Sequence, residues 1–107
     1  MSDKGIDGET LGRIERIHAL SKSYNETARE THSEKLIKLA EEHIEEIKEL
    51  HGKEDPHYLT ETGDLLILCL ESLMEGGAPV NETVLKCCKR YEDKLSRLIE
   101  ERKPRNT

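Results

Sequence analysis

Aromatic residues are nearly absent from this chain: it has no Trp and no Phe, only Tyr24, Tyr58 and Tyr91. Large rings supply much of the buried area in most cores, so the interior must be built from Leu, Ile and Val, and a ligand that requires stacking has few rings to meet. Long hydrophobic runs are missing too. The longest, Leu65 to Leu70, is far short of the roughly 20 apolar residues that a membrane span needs. The opening MSDKGIDGET lacks the apolar segment of a secretory leader. The expectation is a soluble, cytoplasmic protein with no membrane partner. Basic excess is also lacking, since 17 Lys and Arg face 23 Asp and Glu for a net charge of −6. With no basic stripe to follow a phosphate backbone, nucleic acid is not an expected partner. The three cysteines, Cys69, Cys87 and Cys88, are odd in number and have none of the usual zinc spacings, which argues for a reducing compartment.

What the chain does have is charge, 37% of its 107 residues against 34% hydrophobic. The signs are mixed and recur between Leu and Ile, the pattern of solvated helix faces. Residues 1–8 and 103–107 lack periodicity and read as tails, the first disordered, around one helical domain over 9–102. The pattern predicts four helices and no strand, an all-α, four-helix antiparallel bundle-like protomer. The first runs from about Glu9 to Glu30, with Leu11, Ile14, Ile17 and Leu20 at three-residue intervals. The second opens at Thr31 or Ser33 and stops at His51-Gly52, with Leu36, Leu39, Ala40, His43, Ile47 and Leu50 on one side. The third starts at Asp55-Pro56, with Asp55 as cap, and ends at Gly76-Gly77. The fourth follows Asn81, read as its cap, and carries Val84, Leu85, Cys88, Tyr91, Leu95, Leu98 and Ile99. Leu65 to Leu70 is apolar around its whole circumference, more than three amphipathic neighbours can cover, so self-association into a homodimer or homotetramer is expected.

The chemistry-bearing residues are carboxylates. Glu41, Glu42, Glu45 and Glu46 lie on the second helix, and Glu61 and Asp64 open the third. Spacings of three and four put side chains on one helix face, so Glu42 with Glu45 and Glu61 with Asp64 form two forks of hard oxygen ligands. On the second helix alone, Glu42 and Glu45 lie opposite the Leu36, Ala40 and Ile47 stripe, as a solvated face would. Glu61 and Asp64 border the apolar run, where unpaired carboxylates repel or take up protons and a cation would neutralise them. The histidines His18, His32, His43, His51 and His57 form no zinc or triad spacing, and His43 reads as a packed core residue.

The run Lys38-Leu-Ala-Glu41-Glu42-His-Ile-Glu45, fifteen further residues, then Glu61-Thr-Gly-Asp64-Leu-Leu resembles the E-E-x-x-E … E-x-x-D signature of the MazG-like all-α nucleotide pyrophosphohydrolases. The resemblance spans about residues 35 to 95. It implies that Glu42, Glu45, Glu61 and Asp64 bind Mg²⁺, with Mn²⁺ as a substitute, and that Glu41 is an auxiliary catalytic carboxylate. It further implies an activity, hydrolysis of a nucleoside triphosphate to the monophosphate and pyrophosphate. Arg90-Tyr91-Glu-Asp-Lys94 is similar to the family's basic pair around an aromatic residue, placing Arg90 and Lys94 on substrate phosphates. Lys38 either joins them or forms an i to i+4 ion pair with Glu42. Cys88 stands where the family has an asparagine that reads sugar or base. A phosphoribosyl-ATP pyrophosphohydrolase resembles the chain in the same segments, and a non-catalytic helical dimerisation or adaptor module is the alternative from another class.

Overall fold

The computed structural model describes residues 6–26 and 30–104. Four helices account for most of them, with no strand among the described residues: α1 Gly8–Asn25, α2 His32–Gly52, α3 Tyr58–Glu75 and α4 Val80–Arg102. The outer parts of the expected tails, 1–5 and 105–107, lie outside the described residues, as does 27–29 near the expected end of the first helix.

The N-terminal boundary is built rather than frayed. Asp7 caps α1 by accepting a hydrogen bond from the Thr10 N–H at 2.8 Å, and that bond holds its carboxyl below the usual range. Ile6 packs on the core, and its N–H donates to Asn81 Oδ1 at 3.2 Å. Asn81, expected to cap the fourth helix, therefore ties down the first segment instead, and Pro79 takes the cap position of α4. Thr31 opens α2 with a reciprocal capping box, Glu34 N–H to Thr31 Oγ1 at 3.1 Å and Thr31 N–H to Glu34 Oε1 at 2.9 Å.

Gly52 does not stop α2 by adopting a left-handed turn; that conformation falls two residues later on Glu54, at φ +57°, where the Asp55 N–H closes onto Leu50 O. Asp55 caps a preliminary turn, accepting from the His57 N–H at 2.9 Å, before α3 begins at Tyr58. At the other end of α3 the left-handed residue is Gly77, φ +75°, as a helix C-terminus prefers.

Antiparallel α2 and α3 form the most extensively packed pair, while α1 lies more lightly on both and α4 lies against α3, reaching α1 only through the side chains of its first turns. The buried apolar set is small: Ile14, Leu36, Leu68, Leu70 and Val80. Leu20, by contrast, is 57% exposed. Steps of three residues fall about 60° short of a full turn each time, so Leu20 points away from the side that Leu11 and Ile14 bury. On α3, Leu68 and Leu70 are buried but Leu66 is 58% exposed; the protomer does not cover that helix all round.

The protomer is thus not a closed four-helix bundle. From Lys89 to Arg102 every residue of α4 is exposed, including Tyr91, Leu95, Leu98 and Ile99. The radius of gyration is 17.6 Å, against about 13 Å for a compact chain of this length. Exposed area is 8763 Å², where a compact protein of this mass shows about 6,100 Å².

Leu36, 1% exposed, is the most buried apolar side chain. Leu36→Ala is expected to lower unfolding stability by about 3 kcal/mol. Thr31→Ala, which removes the capping box, is expected to cost about 1 kcal/mol. Urea denaturation followed by circular dichroism measures both.

A candidate metal centre between α2 and α3

Glu61 lies in the first turn of α3, where the helix dipole favours negative charge. The short loop from α2 folds this turn back against the last half of α2. Its side chain is only 13% exposed, and each oxygen faces an imidazole: Oε1 is 2.6 Å from His43 Nδ1, and Oε2 is 3.6 Å from His57 Nε2. His43 is therefore not an inert core residue. It sits on the seam side of α2, and a carboxylate of the neighbouring helix occupies its ring nitrogen.

Glu46, one turn after His43 on the same face, completes the cluster. A ring nitrogen of His43 and carboxylate oxygens of Glu46 and Glu61 all lie within 4.8 Å of one another. Two carboxylates at such range do not ionise independently. Glu46 is pushed above the usual carboxylate range, first by its hydrogen bond with Glu61 and then by that group's charge. Glu61 is held below that range, first by the hydrogen bond from Glu46 and next by His43, with burial opposing. The two carboxyls are thus displaced in opposite directions, Glu46 towards its protonated form and Glu61 towards its charged one. A cleft of about 290 Å³ lined by Glu46, Glu49, Leu50, His57 and Glu61 opens beside it.

The other residues singled out from sequence lie around this cluster rather than in it. Glu42 is exposed but close enough to raise Glu46 by its charge. Glu45 is exposed and 3.5 Å from Lys48. Asp64 and Glu41 are exposed. Lys38 pairs with Glu30 at 2.8 Å, not with Glu42. Arg90 stacks on the Tyr91 ring, 5.1 Å from its centre, and with Lys94 stands on the exposed part of α4, a helix that does not pack on α2. His43, read from sequence as core, and Glu46, read as a spare carboxylate beside Glu41, are the members that spacing alone did not place with Glu61. Their three-residue separation puts them on one face, but only the α3 carboxylate opposite distinguishes that face from a solvated one.

The donor set suits a hard divalent cation. Carboxylate oxygens from two helices match the preference of Mg²⁺ for carboxylates and water. No protein-family model, curated protein or solved structure matches the chain.

The carboxyl pair has a pH signature. Because Glu61 is depressed, its contribution to stability is present above the ordinary Glu value near 4.5 and is lost as pH falls through its lowered value. Glu46 is raised, so its contribution is present below 4.5 and fades as pH rises through its elevated value. Carboxyl ¹³C titration by NMR is expected to show Glu46 above and Glu61 below their ordinary range, and in Glu61→Gln the Glu46 value should fall back towards it.

Proposed function

We propose that the chain is a Mg²⁺-dependent nucleoside triphosphate pyrophosphohydrolase, releasing nucleoside monophosphate and pyrophosphate from a centre on the α2–α3 seam. The observation that carries this reading is the convergence of Glu46 and Glu61, two carboxylates from facing helices with oxygens within 4.8 Å of one another. The resemblance of Glu41-Glu42-His-Ile-Glu45 and Glu61-Thr-Gly-Asp64 to the MazG-like signature supports the same location.

In this reading Glu61 and Asp64 of α3, with Glu42 and Glu45 of α2, hold Mg²⁺, with Mn²⁺ as a substitute. Bound there, the ion would screen the triphosphate and favour ionisation of the attacking water. Ionised, Glu46 lies where it can join the ligands or accept a proton from water beside the cleft. His43 holds Glu61 Oε1 in place, so the Glu61 carboxylate is oriented before any ligand arrives. Glu41 serves as the auxiliary carboxylate. Lys38, Arg90 and Lys94 are the cations proposed for substrate phosphate; Lys38 would exchange its Glu30 partner for phosphate.

Self-association belongs to the same proposal. The stripe of Tyr91, Leu95, Leu98 and Ile99 on α4 is apolar, exposed and unpartnered within the protomer. Its spacing is that of a helix-to-helix seam. The protomer's surplus area, about 2,700 Å² over a compact chain, exceeds the roughly 800 Å² per partner that a standard interface buries. Pairing of α4 with a second copy, as homodimer or homotetramer, would cover the stripe and carry Arg90 and Lys94 to a partner's surface.

Pyrophosphate release is expected from a panel of canonical and modified nucleoside triphosphates with Mg²⁺ or Mn²⁺. Glu61→Gln and Asp64→Asn should each reduce it by about 100-fold or more, as loss of a metal ligand does. Activity surviving both substitutions would refute the site. Release from phosphoribosyl-ATP alone would shift the assignment to that hydrolase. The absence of any turnover would favour the adaptor reading. Light scattering should give a mass of at least two chains, and Leu95→Glu should lower it to one.

A further inference from the structure

A second polar cluster is enclosed where α1, the start of α2 and the last turns of α3 meet. Its centre is Glu71, a carboxylate only 2% exposed. No Lys or Arg pairs with it among the described residues; Glu71 Oε1 accepts from Ser21 Oγ and faces His18 Nδ1 at 3.3 Å. His32 brings a second imidazole, its ring centre 5.2 Å from that of His18. Spacing in the sequence gave no sign of this set, because its members come from three helices. One ligand atom each from His18, His32 and Glu71 lies within 4.8 Å of the others.

We propose that His18 Nδ1, His32 Nε2 and a Glu71 oxygen form a binding site for a borderline divalent transition metal, Zn²⁺ foremost, which pins α1 and the start of α2 to α3. Zn–N and Zn–O bonds of about 2.0–2.2 Å set ligand atoms about 3.3–3.5 Å apart around a tetrahedron, and the His18 Nδ1 to Glu71 Oε1 separation of 3.3 Å already has that length. Two imidazoles and one carboxylate favour Zn²⁺ over Mg²⁺, and three protein ligands leave one position for water.

The groups behind the ligands fit the same assignment. A histidine that binds metal through one nitrogen donates its other N–H to a neighbouring acceptor. His18 Nε2 has Glu75 Oε1 at 3.2 Å. That oxygen is buried without a well-aligned hydrogen bond and is shared with Lys22 Nζ, also 3.2 Å away. It is an ionised acceptor beside the imidazole that would need one. His32 Nδ1 has the Asn25 side-chain amide at 3.2 Å. With the amide turned so that its oxygen faces the ring, Nδ1–H has its acceptor and Nε2, on the Ser21 and Glu71 side, is free for the metal.

Co²⁺ and Zn²⁺ titration of the chelator-stripped chain, with reductant, tests the site. Co²⁺ is expected to bind one ion per chain and give tetrahedral visible bands without the near-ultraviolet thiolate charge-transfer band, displaced by stoichiometric Zn²⁺. His32→Gln and Glu71→Gln should weaken Zn²⁺ binding about 100-fold, and Glu75→Gln about 10-fold or more, whereas Glu61→Gln, on the other seam, should leave it unchanged. A thiolate band would place the ion on cysteine and overturn the proposal. So would Zn²⁺ affinity indifferent to His32→Gln, or no tight binding by the wild type. Imidazole ¹⁵N NMR of the Zn²⁺-loaded wild type, expected to shift His18 and His32 and to leave His43 and His57 unmoved, identifies the donors even where a variant fails to fold; shifts at His43 or His57 instead would overturn the proposal.

Discussion

Because α2 and α3 are joined by only five residues, Lys53 to His57, and pack along most of their lengths, every charged side chain at their seam must find a partner there or be pushed into water. Leu36 and Leu68 occupy the part of these helices that can be dried completely. Towards the loop, where the helices are held but solvent still reaches, the seam is filled instead by His43, Glu46 and Glu61. The left-handed Glu54 and the Asp55 turn set the angle at which α3 re-enters. That angle aims Glu61 at His43. A carboxylate in this position keeps its charge at its neighbour's expense, so Glu61 is held below the ordinary range while Glu46 is pushed above it.

The remainder of the protomer is lightly built around that hairpin. α1 contributes one fully buried apolar residue, Ile14, so much of its attachment passes through polar contacts of His18, Ser21 and Lys22 to Glu71 and Glu75. α4 is anchored through its first turns, Val80 and Val84, on the cluster around Ile14 and Leu70. Beyond them it has no cover. A chain with no Trp or Phe has little area to spend on closing a bundle by itself, and an amphipathic helix left with its apolar stripe exposed is a consistent outcome of that composition.

Much of the helical order was legible in the residues. Thr31 as cap and the Gly76-Gly77 stop mark their boundaries because capping and left-handed turns are local chemistry. Other features depend on what lies across a seam. Leu20 repeats at the interval of Leu11 and Ile14 yet drifts off their face, and Asn81 has the chemistry of a cap but is engaged by Ile6. His43 sits on the apolar side of α2, as its spacing said, but the group opposite is a carboxylate. Glu46 was one of four glutamates in a short run, and only Glu61 across the seam sets it apart. Glu71 stood within an apolar stretch with nothing in its neighbours to indicate two histidines from other helices.

The central claim is that the acidic end of the α2–α3 seam holds a hard divalent cation. Paramagnetic Mn²⁺ at a small fraction of the protein concentration, followed by backbone amide NMR, tests this most directly. Amide signals of Glu42 to Glu46 and of Glu61 to Asp64 should broaden first and together, and added Mg²⁺ should reverse the effect. Broadening spread evenly over the acidic faces of all four helices, with no focus at that seam, would contradict it.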